Sequence, residues 1–145
     1  FDVAGRTLDD PAFEGARHSL GEELLQPSVI YSPAISELIR HVDVRGVAHI
    51  TGGGIVGNLN RSLGKHHDAV VDRSTWEVPP IFGEIQRLGR VDDAEMHRVF
   101  NMGIGMCVIV PADDAHKTLD VLRTAGHRAV EIGDVTKGDG TVRLV

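Results

Sequence analysis

Two glycine-rich segments contain the residues whose types and spacing could bind a ligand. The first is Gly52–Gly54, which follows the short apolar stretch 47–51 and precedes a helix-like run from Ile55 to Leu63. Glycines at such a junction let the backbone adopt positive φ and approach a ligand closely. The unpaired N–H groups and the positive dipole end of the following helix suit an anion such as phosphate. This segment therefore predicts a phosphate-binding turn.

The second glycine-rich segment is Phe100–Met106. It places the polar side chain of Asn101 and the glycines Gly103 and Gly105 at the start of an apolar run over residues 104–110. A continuous apolar run is typical of a central strand buried on both faces, and we expect such a strand here. Because both segments lie at strand ends, they predict one ligand cleft between them.

Several side chains near these segments are candidate ligand contacts. Alternation along a strand places His49 and Thr51 on one face, toward the expected cleft. Asn58 follows on the next helix, and the amide of Asn101 could contact a polar ligand. The alternatives are a core histidine for His49 and a helix-ending turn for Asn101. The predicted substrate- or phosphate-binding residues are His49, Thr51, Gly52, Gly53, Gly54, Asn58, Asn101 and Gly103.

The sequence assigns no catalytic residue and predicts no metal site. It contains no Ser-His-Asp or Cys-His spacing that would pair a nucleophile with a base. His66 and His67 are adjacent, so on a strand they face opposite sides, and no cysteine or carboxylate completes a ligand set.

Residues 52–57 also satisfy the pattern G-x-G-x-x-G, and Asp72 follows at the end of a later apolar strand. This combination is the fingerprint of a Rossmann-type dinucleotide-binding module. A short glycine pattern is weak support, and it does not account for the segment Phe100–Met106. We therefore favour the phosphate-binding turn, with a tight turn that binds nothing as the third alternative.

Composition excludes several classes of protein. A chain of 145 residues has the length of one domain, and its net charge of −6 gives no electrostatic support for nucleic-acid binding. No apolar run reaches the roughly 18 residues of a membrane span, and the N-terminus lacks a signal-peptide pattern. The single cysteine, Cys107, fits a reducing compartment. We expect a cytoplasmic protein that binds neither nucleic acid nor membranes.

Helical and strand patterns alternate along the chain. They predict an α/β domain of the α+β type, with a mixed β-sheet flanked by helices. Residues 1–16 are polar and predict a poorly packed N-terminal segment, and residues 17–145 form the domain. The predicted helices are 17–26, 33–42, 55–63, 81–88, 92–100 and 111–125, and the predicted strands are 47–51, 68–72, 104–110, 129–133 and 142–144.

Four motifs give the chain a resemblance to a known family. They are LGEELL at 20–25, AHITGGG at 48–54, WEVPPIF at 76–82 and FNMGIGM at 100–106. In this order they resemble the C-terminal half of phosphoribosylformylglycinamidine cyclo-ligase (AIR synthetase), over about residues 20–135. The resemblance also implies a mixed sheet flanked by helices.

The resemblance implies an activity for the whole enzyme. Such an enzyme uses ATP and Mg²⁺ to convert formylglycinamidine ribonucleotide to aminoimidazole ribonucleotide in purine biosynthesis. It would hold ATP and Mg²⁺ mostly through an N-terminal domain that nothing in this sequence matches, and it would act as a homodimer. We therefore expect the 145-residue chain to be inactive by itself. A related ATP-dependent enzyme similar to formylglycinamidine synthase is the nearest alternative.

Overall fold

The computed structural model describes all residues from 1 to 145. It contains six α-helices, five β-strands and two short 3-10 helices, Arg73–Thr75 and Ala112–Asp114. The α-helices are α1 (Leu20–Leu24), α2 (Ser32–His41), α3 (Gly54–Leu63), α4 (Pro80–Gly89), α5 (Asp93–Val99) and α6 (Ala115–Thr124). The strands are β1 (Gly46–His49), β2 (His67–Val71), β3 (Met106–Ile109), β4 (Gly133–Lys137) and β5 (Val142–Leu144).

The strands form two small sheets. β1 and β3 pair antiparallel, with Gly46 opposite Ile109 and His49 opposite Met106. In the other sheet β2 lies in the middle, antiparallel to β4 and parallel to β5. This second sheet is mixed, and helices flank both sheets, so the predicted fold class is confirmed.

Helix α3 connects the two sheets through the hydrophobic core. Its apolar residues Ile55, Leu59 and Leu63 recur every four positions, so they lie on one face of the helix. That face packs against β1, β2 and β5, while α5 contacts α3 from the side. The buried core cluster comprises Ala48, Ile50, Ile55, Leu59, Leu63, Ala69, Val71, Cys107 and Val142.

The predicted central strand over residues 104–110 is wrong in both length and environment. The observed strand β3 covers only Met106–Ile109, and Cys107 is its single fully buried residue. The physical reason is that β3 pairs only with β1, so it is an edge strand with one free side. Its apolar side chains instead line a cavity described below.

The predicted strand over residues 129–133 is also wrong, because β4 begins at Gly133. Only one backbone hydrogen bond joins the preceding stretch to the neighbouring strand, from the N–H of Asp72 to the carbonyl of Ile132. The predicted helices over 33–42 and 55–63 are confirmed as α2 and α3, and the strand over 142–144 is confirmed as β5.

The N-terminal segment makes specific contacts with the domain. Ala12 is fully buried, and its N–H donates to the carbonyl of His18 at 3.1 Å. Arg6 donates to a carboxylate oxygen of Glu84 on α4 at 2.7 Å. Hydrogen bonds from Arg87 and Arg6 lower the pKa of Glu84. The domain boundary after residue 16 stays a prediction.

No helix of the structure has the length and apolar character needed to cross a membrane.

Candidate functional site

Antiparallel pairing of β1 with β3 brings the two glycine-rich segments together. The C-terminal end of β1 lies beside the N-terminal end of β3, because His49 is opposite Met106. One step further on, the N–H of Ile50 donates to the carbonyl of Gly105 at 2.9 Å. The turn Gly52–Gly54 begins two residues after Ile50, and Phe100–Met106 includes Gly105. The backbones of the two glycine-rich segments are therefore neighbours at this hydrogen bond.

The turn Gly52–Gly54 depends on glycine at two positions. Gly53 is the N-cap of α3 with φ of 101°, and Gly54 has φ of 60°. Both values lie in the left-handed region that side chains disfavour. A Cβ on Gly54 would also overlap the carbonyl oxygen of His97 and lie 3.2 Å from that of Phe100. The turn is therefore pressed against the end of α5.

Asn58 holds this turn from the inside. Its side chain is only 5% exposed, and Nδ2 lies within hydrogen-bond distance of three carbonyl oxygens. These belong to Thr51 at 3.3 Å, Gly52 at 3.2 Å and Gly54 at 2.8 Å. The amide donors of Asn58 are thus directed into the turn rather than outward from it.

The outer side of the turn presents unpaired N–H groups. Those of Gly54 and Gly57 donate within the protein, to Thr51 and Gly53 respectively. The N–H groups of Gly53 and Val56 have no protein acceptor, and both residues are partly accessible. Unpaired N–H groups at the positive end of a helix can bind an oxyanion.

The second segment is shaped by its own turn and by the stretch before α4. Oδ1 of Asn101 accepts a hydrogen bond from the N–H of Gly103 at 3.0 Å. Nε1 of Trp76 donates to the carbonyl of Met102 at 3.0 Å. Gly103 has φ of 98°, and a Cβ there would lie 2.6 Å from Cδ of Pro79. The motifs WEVPPIF and FNMGIGM therefore pack against each other.

His49 and Thr51 lie on the accessible face of β1 and its extension, whereas Ala48 and Ile50 are buried. This confirms the alternation expected from the sequence. The imidazole of His49 makes an edge contact with the ring of Tyr31, with centroids 6.1 Å apart. Tyr31 is not among the residues predicted from the sequence, and the one sequence feature related to it is Gly105, whose missing side chain leaves room for the phenol.

The dinucleotide alternative is wrong on topology. A Rossmann unit needs a parallel strand pair connected through the helix. Here β1 pairs antiparallel with β3 and makes no pair with β2, the strand after α3. In that fingerprint the last glycine permits close helix–strand packing, yet a Cβ on Gly57 would meet no atom within 4 Å.

A separate cavity of about 370 Å³ lies between β2, β3, α6 and residues 128–135. Its lining is mostly apolar, and none of the eight predicted binding residues contributes to it. Cys107 borders this cavity, and burial raises the pKa of its thiol to about 12. The hydroxyl of Thr118, also on the lining, is buried without a hydrogen-bond partner.

Titratable groups are sparse at the glycine-rich segments. His97, behind Gly54, is half-buried, and burial lowers its pKa. Oδ1 of Asp93 lies 3.8 Å from Nε2 of that imidazole, and Oδ2 of Asp93 accepts from Arg73 at 2.7 Å. Nowhere do three or more His, Cys, Asp or Glu side chains converge in a way that could hold a metal ion.

Comparison with known proteins gives close relatives. Phosphoribosylformylglycinamidine cyclo-ligase of Syntrophus aciditrophicus is 42% identical over 140 residues, which is 97% of this chain and 40% of the relative. The protein of the same name from Thermodesulfovibrio yellowstonii is 46% identical over 138 residues, 95% of this chain and 40% of the relative. The chain thus spans about 40% of the length of these relatives.

A solved structure supports the fold. E. coli HypE, a hydrogenase maturation protein, is similar with a TM-score of 0.61 and 23% identity, over 86% of this chain and 40% of that protein. Residues 3–145 match the family described as AIR synthase related protein, C-terminal domain. Because that match covers almost every residue, the chain belongs to the family of AIR synthase related C-terminal domains.

Proposed function

We propose that the chain is the C-terminal domain of an ATP-dependent cyclo-ligase. The whole enzyme converts formylglycinamidine ribonucleotide to aminoimidazole ribonucleotide in de novo purine biosynthesis. The observation that carries this proposal is the turn Gly52–Gly54 with unpaired N–H groups at Gly53 and Val56. Relatives at 42% and 46% identity that bear the name of this ligase support it.

In this proposal the turn binds the phosphate of the ribonucleotide. Backbone N–H groups can approach a phosphate closely where no Cβ intervenes, and the dipole of α3 favours its negative charge. Asn58 acts indirectly, because its donors fix the carbonyls of the turn and so direct the N–H groups outward. His49, Thr51, Asn101 and Gly103 form the rest of the wall around the substrate.

ATP supplies the phosphoryl group that activates the formyl oxygen of the substrate. Phosphoryl transfer needs Mg²⁺ held by carboxylates and cationic groups around the triphosphate. The residues of this chain do not fit that requirement, because no set of acidic side chains converges near either segment. We therefore assign ATP and Mg²⁺ mostly to an N-terminal domain, with this chain as one wall of the cleft. The whole enzyme would be a cytoplasmic homodimer.

Phosphate binding can be tested directly. Titration of inorganic phosphate against the ¹⁵N-labelled chain should shift the amide resonances of Gly53 to Val56 most strongly. Gly53→Val should abolish these shifts, because a β-branched residue tolerates positive φ poorly. Gly57→Ala is the matched control, since its Cβ meets no atom within 4 Å and its N–H is already bonded. Shifts scattered over the surface, with none at the turn, would contradict the proposal.

The activity can be tested by reconstitution. When it is supplied with formylglycinamidine ribonucleotide, ATP and Mg²⁺, the chain alone should release no ADP. Joining it to the N-terminal part of the Syntrophus aciditrophicus relative should restore turnover, and Gly53→Val in that fusion should remove it. Substrate-dependent ADP release by the chain alone would refute the division of labour between the two domains.

A further inference from the structure

Three aromatic side chains from distant parts of the chain meet beside the glycine-rich segments. Tyr31 is the N-cap of α2, His49 ends β1, and His127 follows α6. The Tyr31 and His127 rings are stacked with centroids 5.8 Å apart, and the His49 ring contacts Tyr31 edge-on. We refer to Tyr31, His49 and His127 as the ring cluster.

Gly105 makes room for this cluster. A Cβ on Gly105 would overlap the Tyr31 hydroxyl and lie 2.9 Å from Cζ. Gly105 does not have positive φ, so space rather than backbone conformation requires a glycine there. The carbonyl of Gly105 accepts from Ile50 at 2.9 Å, which fixes the Tyr31 hydroxyl beside the paired strand ends.

The polar atoms of the ring cluster have no protein partners. No hydrogen bond or ion pair within the protein uses the Tyr31 hydroxyl or the imidazoles of His49 and His127. Four other histidines each lie within 4.0 Å of a carboxylate: His18, His41, His97 and His116. No carboxylate lies within 4.0 Å of His49 or His127, which is also true of His66 and His67, so the polar atoms of the ring cluster are free to bind the oxygen atoms of a ligand.

The ring cluster and the unpaired N–H groups are linked through the pairing of Ile50 with Gly105, the residue that contacts the Tyr31 hydroxyl. Gly53 is the third residue after Ile50, and three residue steps of extended chain span at most about 11 Å. Burial raises the pKa of Tyr31, so its phenol remains protonated and able to donate. A ligand with phosphate at one end and hydroxyl groups at the other matches both features.

We propose that Tyr31 and His127 extend the phosphate site into a subsite for the sugar of a sugar phosphate. The Tyr31 hydroxyl donates a hydrogen bond to a sugar hydroxyl, and the His127 ring, stacked on Tyr31, holds the phenol in position. Tyr31 is a binding residue and His127 a positioning residue. This inference rests on the proposed phosphate site at Gly53–Val56.

The test compares two probes, inorganic phosphate and ribose 5-phosphate, by calorimetry and amide NMR. Wild type should bind ribose 5-phosphate more tightly than phosphate. Tyr31→Phe keeps the ring and removes the hydroxyl, so ribose 5-phosphate affinity should fall roughly two- to tenfold. Affinity for phosphate should not change. His66→Ala, a histidine outside the cluster, is the matched control and should alter neither affinity.

The role of His127 has its own readout. His127→Ala should weaken ribose 5-phosphate binding and move the ring-proton resonances of Tyr31, whereas His127→Phe should restore both, because it preserves the stacking. Equal affinities of wild type and Tyr31→Phe for ribose 5-phosphate, with phosphate still bound at the turn, would overturn the subsite alone. Failure of the phosphate probe itself would instead overturn the proposed function.

Discussion

The segments Gly52–Gly54 and Phe100–Met106 are both rich in glycine, yet the structure constrains them in different ways. The first is fixed by backbone: Gly54 lies against two carbonyl oxygens of α5 and its neighbour, and Asn58 binds the turn from inside. The second is fixed by side chains: Pro79 lies against Gly103, and Tyr31 against Gly105.

This difference indicates how each segment responds to change. Backbone carbonyls cannot move without shifting a helix, whereas the end of a tyrosine side chain can swing aside. Substitutions in the first segment should therefore destabilise the whole fold. Substitutions in the second should displace neighbouring side chains while the fold is retained.

Gly54→Ala should be the most damaging change. The left-handed φ costs a non-glycine residue about 1–2 kcal/mol, and overpacking costs about 1–3 kcal/mol more. We expect the free energy of unfolding to fall by about 2–5 kcal/mol in urea titrations. Gly57→Ala in the same helix is the control, and it should be neutral or gain up to about 1 kcal/mol. Equal losses for the two variants would contradict the backbone constraint.

Asn58→Asp should be nearly as damaging. The change keeps the shape but removes both donors and directs a carboxylate at three carbonyl oxygens in a site that is 5% exposed. An unsatisfied buried polar group costs about 1–3 kcal/mol, and more when charged, so we expect a loss of about 2–4 kcal/mol at pH 7. Urea unfolding measures it. A variant as stable as wild type would show that Asn58 does not hold the turn.

Gly105→Ala tests the side-chain constraint through coupling. The new methyl group displaces the Tyr31 phenol, and we expect a loss of about 1 kcal/mol, at the low end of overpacking costs. In a Tyr31→Ala background the same change should cost almost nothing, because the methyl group then has room. A double-mutant cycle on unfolding free energies measures this coupling. If the losses in unfolding free energy of Gly105→Ala and Tyr31→Ala were additive, the cost of Gly105→Ala would come from the backbone and not from the contact with Tyr31.

The parts of the site that could be predicted from the sequence are those encoded locally. Positive φ at Gly53 and Gly54 and the apolar face of α3 follow from residue type and periodicity. The contacts among Tyr31, His49 and His127 do not follow from local sequence, because they come from segments that meet only after folding, and Gly105 indicates only that a close neighbour is present. Apolar runs also overstated strand content, since periodicity does not reveal how many partners a strand has.

The predicted strands over 104–110 and 129–133 are wrong for that reason. Residues 104–110 are apolar enough for a central strand, but only β1 pairs with them, and the remaining apolar side chains line the cavity. Residues 129–132 are a similar case: they border the same cavity instead of continuing β4. The sequence correctly indicated that both stretches are apolar, but it did not indicate whether they pair as strands or line a cavity.

Asn101→Asp should have the smallest effect and completes the comparison with Asn58. Asn101 uses only its oxygen, which accepts from Gly103, and its amide N–H groups make no protein hydrogen bond. A carboxylate can accept the same bond, so unfolding free energy at pH 7 should change by less than about 0.5 kcal/mol.

The hydrogen bond from Gly103 favours the ionised form and lowers the folded-state pKa of the carboxylate introduced by Asn101→Asp. The resulting stabilisation is present above the unfolded pKa of about 3.9 and is lost as pH falls through the folded value. The new charge should also weaken phosphate binding, and more so at low salt, because salt screens the repulsion between like charges. Urea unfolding between pH 3 and pH 7 and phosphate titration at two salt concentrations measure these effects. If Asn101→Asp lowered the free energy of unfolding as much as Asn58→Asp, both asparagines would be required to stabilise their turns, and the two segments would not differ.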